Sequence, residues 1–114
     1  MAVGGRRPRA PVSVGDALRK LVLSNDGVTQ DRLAEAMHVT RYSVNQLINN
    51  RRNVTAEMAL RLGKATNTSA ELWLNIQRAI DLYDARRRLG KNLAAIRPVL
   101  RPIPDDEFFV DMPA

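Results

Sequence analysis

The fold of this chain is decided by residues 29–49, which read TQDRLAEAMHVTRYSVNQLIN. Thr29 and Thr40 are good N-cap residues, and each stands before a short segment with apolar residues at helical spacing. The buried positions are expected to be Leu33, Ala34 and Met37 in the first segment and Val44, Leu47 and Ile48 in the second. These patterns predict helices over about 30–37 and 41–49, joined by a tight turn at His38-Val39, which together form a helix-turn-helix.

Three further helices flank this pair in the predicted fold. Helical spacing from Val14 onward predicts a first helix over about 14–24, which is stopped by the sequence Ser24-Asn25-Asp26-Gly27. Thr55 is the expected cap of a fourth helix, and Ser69 is the expected cap of a longer fifth helix that ends near Gly90. No segment has a convincing strand pattern. The sequence therefore predicts an all-α fold of five helices.

Segments of different composition lie on either side of these helices. Residues 1–13 are rich in Gly, Pro and Arg and are expected to form a flexible basic arm, while residues 14–97 form the helical domain. Residues 98–114 are expected to form a flexible, Pro-rich acidic tail that contains Phe108 and Phe109. The arm either enters a DNA minor groove or is a disordered leader, and the tail either folds against a basic partner or only solubilises the chain.

Composition excludes several classes of function. The 114 residues include one histidine and no cysteine, which excludes disulfides, thiol catalysis and zinc clusters. No nucleophile–base pair is recognisable, so we expect no enzyme activity, no cofactor, no metal and no small-molecule substrate. No apolar run approaches the roughly 20 residues that span a bilayer, so a cytoplasmic protein without membrane contact is expected. The net charge of +6 favours a polyanionic partner, of which nucleic acid is the commonest.

The exposed face of the third helix carries side chains that can read bases. With about 100° between successive residues, Arg41, Tyr42, Asn45, Gln46 and Asn49 project to one side of the helix. An Arg guanidinium pairs bidentately with guanine, and an Asn or Gln amide pairs in the same way with adenine. The pattern therefore predicts a DNA-reading face, and an ordinary solvated polar face is the alternative interpretation.

Four residues beside that face are candidates for contact with the DNA backbone. Gln30 and Thr40 open the second and third helices, whose N-terminal N–H groups suit phosphate oxygens, and Gln30 is also placed to brace a reading side chain. Arg51 and Arg52 follow the third helix, where the chain is expected to pass the duplex. Helix capping by Thr40 and a solvated loop at the two arginines are the alternative interpretations.

Two longer motifs identify a resemblance to a known family. The chain reads NVTAEMALRL over residues 53–62 and TSAELWLNIQ over residues 68–77. Together with residues 29–49, these motifs resemble the helix-turn-helix family of phage repressors and, more closely, the HigA-type antitoxins of bacterial toxin–antitoxin modules. The resemblance covers about residues 14–89. It implies a five-helix, repressor-like domain that forms a homodimer, represses its own operon and neutralises a small RelE-like endoribonuclease toxin of the HigB type.

The resemblance also implies roles for individual residues. The positions that match the DNA-facing residues of the family are Gln30, Thr40, Arg41, Tyr42, Asn45 and Gln46. His38 stands where the family commonly has Gly, and His tolerates a positive φ better than most residues. Trp73, Ile76 and Ile80 are assigned to the core or to a dimer interface along the fifth helix. A stand-alone helix-turn-helix repressor without a toxin partner, and a pure protein-interaction module, are the two alternative functions.

Overall fold

The computed structural model describes residues 10–104, and every element within this range is helical. Helix α1 spans Val14–Ala17 and continues directly into a π-helical segment over Leu18–Val22. The remaining helices are α2 over Gln30–Met37, α3 over Arg41–Ile48, α4 over Ala56–Thr66, α5 over Ala70–Leu89 and α6 over Lys91–Ala94. The arginines of the proposed basic arm and the acidic segment that starts at Asp105 lie outside the described residues. The all-α helix-turn-helix fold is therefore confirmed.

The helices begin where the sequence supplies a hydroxyl cap. Five Ser or Thr side chains each accept a hydrogen bond from the backbone N–H three residues ahead, at 3.0–3.2 Å. These caps are Ser13, Thr29, Thr40, Thr55 and Ser69. Each cap satisfies one of the N–H groups that the first helical turn leaves without a partner, and contributes about 1 kcal/mol. The starts of α1 to α5 therefore follow directly from local sequence.

One helix end and one additional helix differ from the expectation. The first helical stretch ends at Val22 and not near residue 24, because Ser24 and Asn25 donate side-chain hydrogen bonds to the carbonyls of Lys20 and Leu21. Gly90, with a φ of 48°, ends α5 as expected, but the residues before Pro98 still complete the short helix α6. The described chain thus has one helix more than the five that were predicted.

The hydrophobic core joins all of the first five helices around Trp73. Its indole ring is fully buried, and its N–H donates a 2.7 Å hydrogen bond to the hydroxyl of Thr68. The largest of the other fully buried side chains are Leu18, Val44, Leu47 and Leu62. The apolar residues predicted for the inner faces of α2 and α3 all belong to this core. Burial of α3 on one side fixes which of its residues remain available on the other.

Candidate nucleic-acid interface

The turn between α2 and α3 is held in place by a residue of α4. His38 adopts the left-handed conformation, with a φ of 59°, and ends α2, in keeping with a position that is commonly Gly in the family that the sequence resembles. The Arg61 guanidinium donates hydrogen bonds to the carbonyls of Met37 and His38, at 3.0 and 3.3 Å. Glu57 accepts a further bond from Arg61 at 3.1 Å and orients its guanidinium. Arg61 therefore satisfies two carbonyls at the end of α2, where the last turn lacks partners within the helix.

The end of α3 is held by its contact with α1. Asn50 has a φ of 57°, and its side-chain oxygen accepts a 2.9 Å hydrogen bond from the backbone N–H of Gly15. The same amide donates to the hydroxyl of Ser13 at 3.2 Å. A β-carbon at Gly15 would lie 2.1 Å from the carbonyl oxygen of Ile48, so only glycine allows the two backbones to approach this closely. The start of α1 is thereby joined directly to the end of α3.

The loop that follows α3 is held by α5. The Gln77 side chain accepts a 2.9 Å hydrogen bond from the backbone N–H of Val54 and donates to the side chain of Asn53 at 3.3 Å. Arg51 and Arg52 lie between Asn50 and this anchored point, and both are exposed. Three separate elements thus support the turn before α3, its last turn and the loop after it.

The structure places the candidate reading residues on the solvent side of α3. Arg41 and Tyr42 are exposed, the latter by 66%, while Asn45 and Gln46 are half-buried. The Arg41 guanidinium lies 3.5 Å from the carboxylate of Asp31 in α2, and both side chains remain more than 60% exposed. The amide of Gln46 has no hydrogen-bond partner within residues 10–104. This face therefore offers a guanidinium, a phenol and amides side by side.

Gln30 and Thr40 have partners in the structure. Gln30 accepts a 3.3 Å hydrogen bond from the Asn45 side chain, so it lies against α3 at the start of α2. The Thr40 hydroxyl accepts from the Ser43 N–H and donates to the Ser43 hydroxyl, as a cap residue does. Capping leaves the other N–H groups of the first turn of α3 directed outward.

The second group of candidates lies on a different part of the molecule. Trp73 is inside the core, and Ile76 and Ile80 are half-buried on the same side of α5. The opposite side of α5 carries exposed leucines at positions 82 and 89, while the half-buried Leu74 packs against the core. Trp73 and Ile76 therefore contribute to packing within one chain.

Sequence reasoning missed the residues that hold α3 in position: Gly15, Asn50, Arg61 and Gln77. Arg61 and Gln77 lie within the two motifs that carried the family resemblance, so their presence was noted without a role. Their partners are 23 and 24 residues away in the chain, and no local pattern predicts such pairs. Within residues 10–104, no cluster of His, Cys, Asp and Glu is arranged to hold a metal ion, and no helix is long and apolar enough to cross a membrane.

Comparison with known proteins places this arrangement in a family. Residues 18–73 match the family described as "Helix-turn-helix". Antitoxin HigA-1 of Vibrio cholerae is 43% identical over 91 residues, which cover 80% of this chain and 86% of that protein. This chain belongs to the HigA family of antitoxins. Another relative of this HigA-family chain, the uncharacterized HTH-type transcriptional regulator YbaQ of Escherichia coli K12, is 42% identical over 81 residues, covering 71% of this chain and 72% of YbaQ.

Solved structures of the HigA family share the fold. Antitoxin HigA of Pseudomonas aeruginosa, solved with the higBA promoter, is 34% identical and superposes with a TM-score of 0.71 over 79% of this chain and 99% of its own. Antitoxin GraA, solved in complex with its operator, is 31% identical with a TM-score of 0.74, over 84% of this chain and 98% of its own. The segment matched to the helix-turn-helix family contains the whole of α2, α3 and α4, and therefore the surface described above.

Proposed function

We propose that this HigA-family chain is an antitoxin that represses its own operon as a dimer and neutralises a small RelE-like endoribonuclease toxin of the HigB type. The observation that carries the DNA-binding part is the geometry of α3, which is supported by α1, α4 and α5 while its polar face stays open to solvent. A helix presented in this way fits the major groove of B-form DNA. No catalytic step and no cofactor belong to this function.

Arg41 is proposed to read a base from the start of α3. Its pairing with Asp31 is between exposed groups at 3.5 Å, and such pairs contribute at most about 1 kcal/mol. Guanine offers Arg41 two acceptors, so exchange of Asp31 for the base edge is favourable. Gln46 has its amide available for a second base, and Tyr42 is placed to contact a thymine methyl group or a phosphate. Asn45 lies between these residues and is part of the same surface.

Contacts with the DNA backbone are proposed for the residues at the edges of α3. Thr40 stands at the start of α3, where N–H groups and the positive end of the helix dipole favour phosphate. Arg51 and Arg52 are exposed in a loop that Gln77 holds close to α3. These contacts would position the protein on DNA without selecting a sequence.

The dimer contact is proposed for the outer side of α5. Leu82 is 44% exposed and Leu89 is 39% exposed, and the two form an apolar stripe on the side of α5 opposite Trp73. A second chain that covers this stripe would form a two-fold symmetric dimer. Its two copies of α3 would then read half-sites one helical turn apart, about 34 Å. The expected location is the cytoplasm, with association to the nucleoid when the dimer is bound to DNA.

A stand-alone repressor without a toxin partner is the second candidate function. The relative YbaQ is named as a transcriptional regulator and not as an antitoxin, although its identity to this chain is almost as high as that of HigA-1. Both functions use the same DNA-binding surface. They differ only in the presence of a toxin, which therefore decides between them.

The family resemblance leads us to expect a small reading frame for the toxin beside the gene of this chain. Co-expression of the chain with that neighbour tests the antitoxin function. We expect the neighbour alone to stop growth, and the full chain to restore growth and to co-purify with the neighbour. A harmless neighbour, or a toxic one that the chain neither binds nor neutralises, would rule out the antitoxin function and leave the stand-alone repressor.

Binding to DNA from upstream of the operon tests the proposed reading residues. Arg41→Ala or Gln46→Ala should weaken operator binding by a factor on the order of 10 to 100, as expected for one lost bidentate contact, and leave random duplex nearly unaffected. Arg51→Ala and Arg52→Ala should weaken both duplexes and reduce the salt slope by about 1 each. Arg97→Ala removes the same charge beyond α6 and is the matched control. Equal losses on operator and random DNA for Arg41→Ala would refute base reading.

A further inference from the structure

A row of three side-chain amides crosses the junction of α2 and α3. The Asn49 amide nitrogen donates to the backbone carbonyl of Asn45 at 3.0 Å and to the side-chain oxygen of Asn45 at 3.1 Å. The Asn45 amide nitrogen donates in turn to the side-chain oxygen of Gln30 at 3.3 Å. Both ends of the Asn45 amide are therefore occupied within the protein, which distinguishes it from Gln46.

The direction of this row is determined by its first member. A backbone carbonyl only accepts hydrogen bonds, so Asn49 must point its nitrogen toward Asn45. Because the Asn49 amide nitrogen is a donor, the Asn45 amide must turn its oxygen toward Asn49. The amide nitrogen of Asn45 then points toward Gln30 and donates to the Gln30 side-chain oxygen. The Gln30 amide nitrogen is thus left without a partner among residues 10–104. The network selects which end of the Gln30 amide is available to a ligand.

We propose that Asn45 is a positioning residue and not a base reader: it orients Gln30 so that the Gln30 amide nitrogen donates to a hydrogen-bond acceptor on a base edge in the major groove. Guanine O6 and N7, adenine N7 and thymine O4 are the acceptors available there. An amide held in one orientation before binding loses less side-chain entropy when DNA arrives than a mobile one does. This inference rests on the DNA binding proposed above.

A double-mutant cycle on the full chain tests the proposal, with binding measured on DNA from upstream of the operon and on random duplex. Gln30→Ala should weaken operator binding about tenfold, the loss of one base contact. Asn45→Ala should weaken it about threefold to tenfold, and the double variant should bind within about twofold of Gln30→Ala, because Asn45 acts through Gln30. Gln46→Ala is the comparison: because Gln46 contacts DNA independently of Gln30, the factors by which the two substitutions weaken operator binding should multiply in the double variant. Ala is a better helix former than Asn, so loss of fold does not account for the effect of Asn45→Ala.

Asn45→Asp should change the base preference of the protein, which a purely structural role of Asn45 would leave unchanged. The aspartate keeps an oxygen toward Asn49 but also presents an oxygen to Gln30, so the Gln30 amide must reverse and expose its own oxygen. At the base pair that responds to Gln30→Ala, the preference should then change from an acceptor to a donor such as adenine N6 or cytosine N4. The added negative charge should weaken all duplexes equally, and in the Gln30→Ala background no change of preference should occur.

Three results would overturn the proposal. The first is that Asn45→Ala weakens operator binding by the same factor in the wild-type and Gln30→Ala backgrounds. The second is that Gln30→Ala leaves operator binding unchanged, and the third is that it weakens binding to operator and random duplex by the same factor. If the wild-type chain shows no preference for its operator DNA over random duplex, the proposed function itself fails and this inference fails with it.

Discussion

Replacement of Gly15 by alanine tests whether the contact between α1 and α3 is as close as the structure shows. A β-carbon at this position would lie 2.1 Å from the Ile48 carbonyl oxygen and 3.0 Å from the Asn50 amide nitrogen. The first of these atoms belongs to the backbone and moves only if the end of α3 moves. The substitution should therefore separate the two helices and break the hydrogen bond from the Gly15 N–H to Asn50.

The expected magnitude is the sum of opposing terms. Alanine favours a helix over glycine by about 1 kcal/mol, which by itself would stabilise the variant. Overpacking of a tight contact costs about 1–3 kcal/mol, and a 2.1 Å approach to backbone places this case at the upper end. Loss of the hydrogen bond to Asn50 adds about 1 kcal/mol. The free energy of unfolding should therefore fall by about 3 kcal/mol, which lowers Tm by roughly 12–24 °C for a domain of this size.

Urea and thermal unfolding of the wild type and Gly15→Ala measure this change. Lys20→Ala, at an exposed position of the same helical stretch, is the control and should alter stability by no more than about 0.5 kcal/mol. A Gly15→Ala variant as stable as the wild type, or more stable, would refute the close approach of α1 to Ile48 and with it the anchoring of α3 by Asn50.

Two further stability predictions concern the turn and the core. At the left-handed position 38, His38→Gly should be more stable than His38→Ala by about 1 kcal/mol in chemical unfolding, because alanine has a β-carbon and no polar group to offset it; equal stabilities would contradict the turn geometry. Thr68→Val should lower the free energy of unfolding by about 1–3 kcal/mol, because it leaves the buried Trp73 N–H without an acceptor. The same change in a Trp73→Phe background should have a much smaller effect, because only the exposed hydrogen bond between the Thr66 and Thr68 hydroxyls is then lost. An undiminished loss there would show that the hydrogen bond to Trp73 is not its cause.

Local features of the sequence accounted for the helices and for the sides that they bury. The predicted caps Thr29, Thr40, Thr55 and Ser69 mark the starts of α2 to α5, since a cap acts within three residues of its own position, whereas Ser13, which caps α1, was placed in the flexible arm. Helical periodicity separated Val44, Leu47 and Ile48 from the polar residues of α3, and the structure shows the same division. The left-handed conformation of His38 was implied by the family resemblance, because the family commonly has Gly at this position. The HigA resemblance, read from motifs, was confirmed by comparison with relatives.

Local sequence did not account for the π-helical segment over Leu18–Val22 or for the short α6. The widened turn brings the N–H of Leu23 to the carbonyl of Leu18 at 2.8 Å while Leu18 and Val22 enter the core. Helical periodicity alone does not distinguish the two forms.

The sequence by itself determined the all-α class, the helix starts, the buried sides and the polar face of α3, because these depend on residues within a few positions of one another. Only the tertiary structure decided how α3 is held and which atoms it presents. Asn50 meets Gly15 across 35 residues, Arg61 meets Met37 across 24, and Asn45 meets Gln30 across 15. Hydrogen bonds over such separations form only after the core has packed the helices together, so the orientation of an amide such as that of Gln30 is set by tertiary contacts and not by the order of residues along the chain.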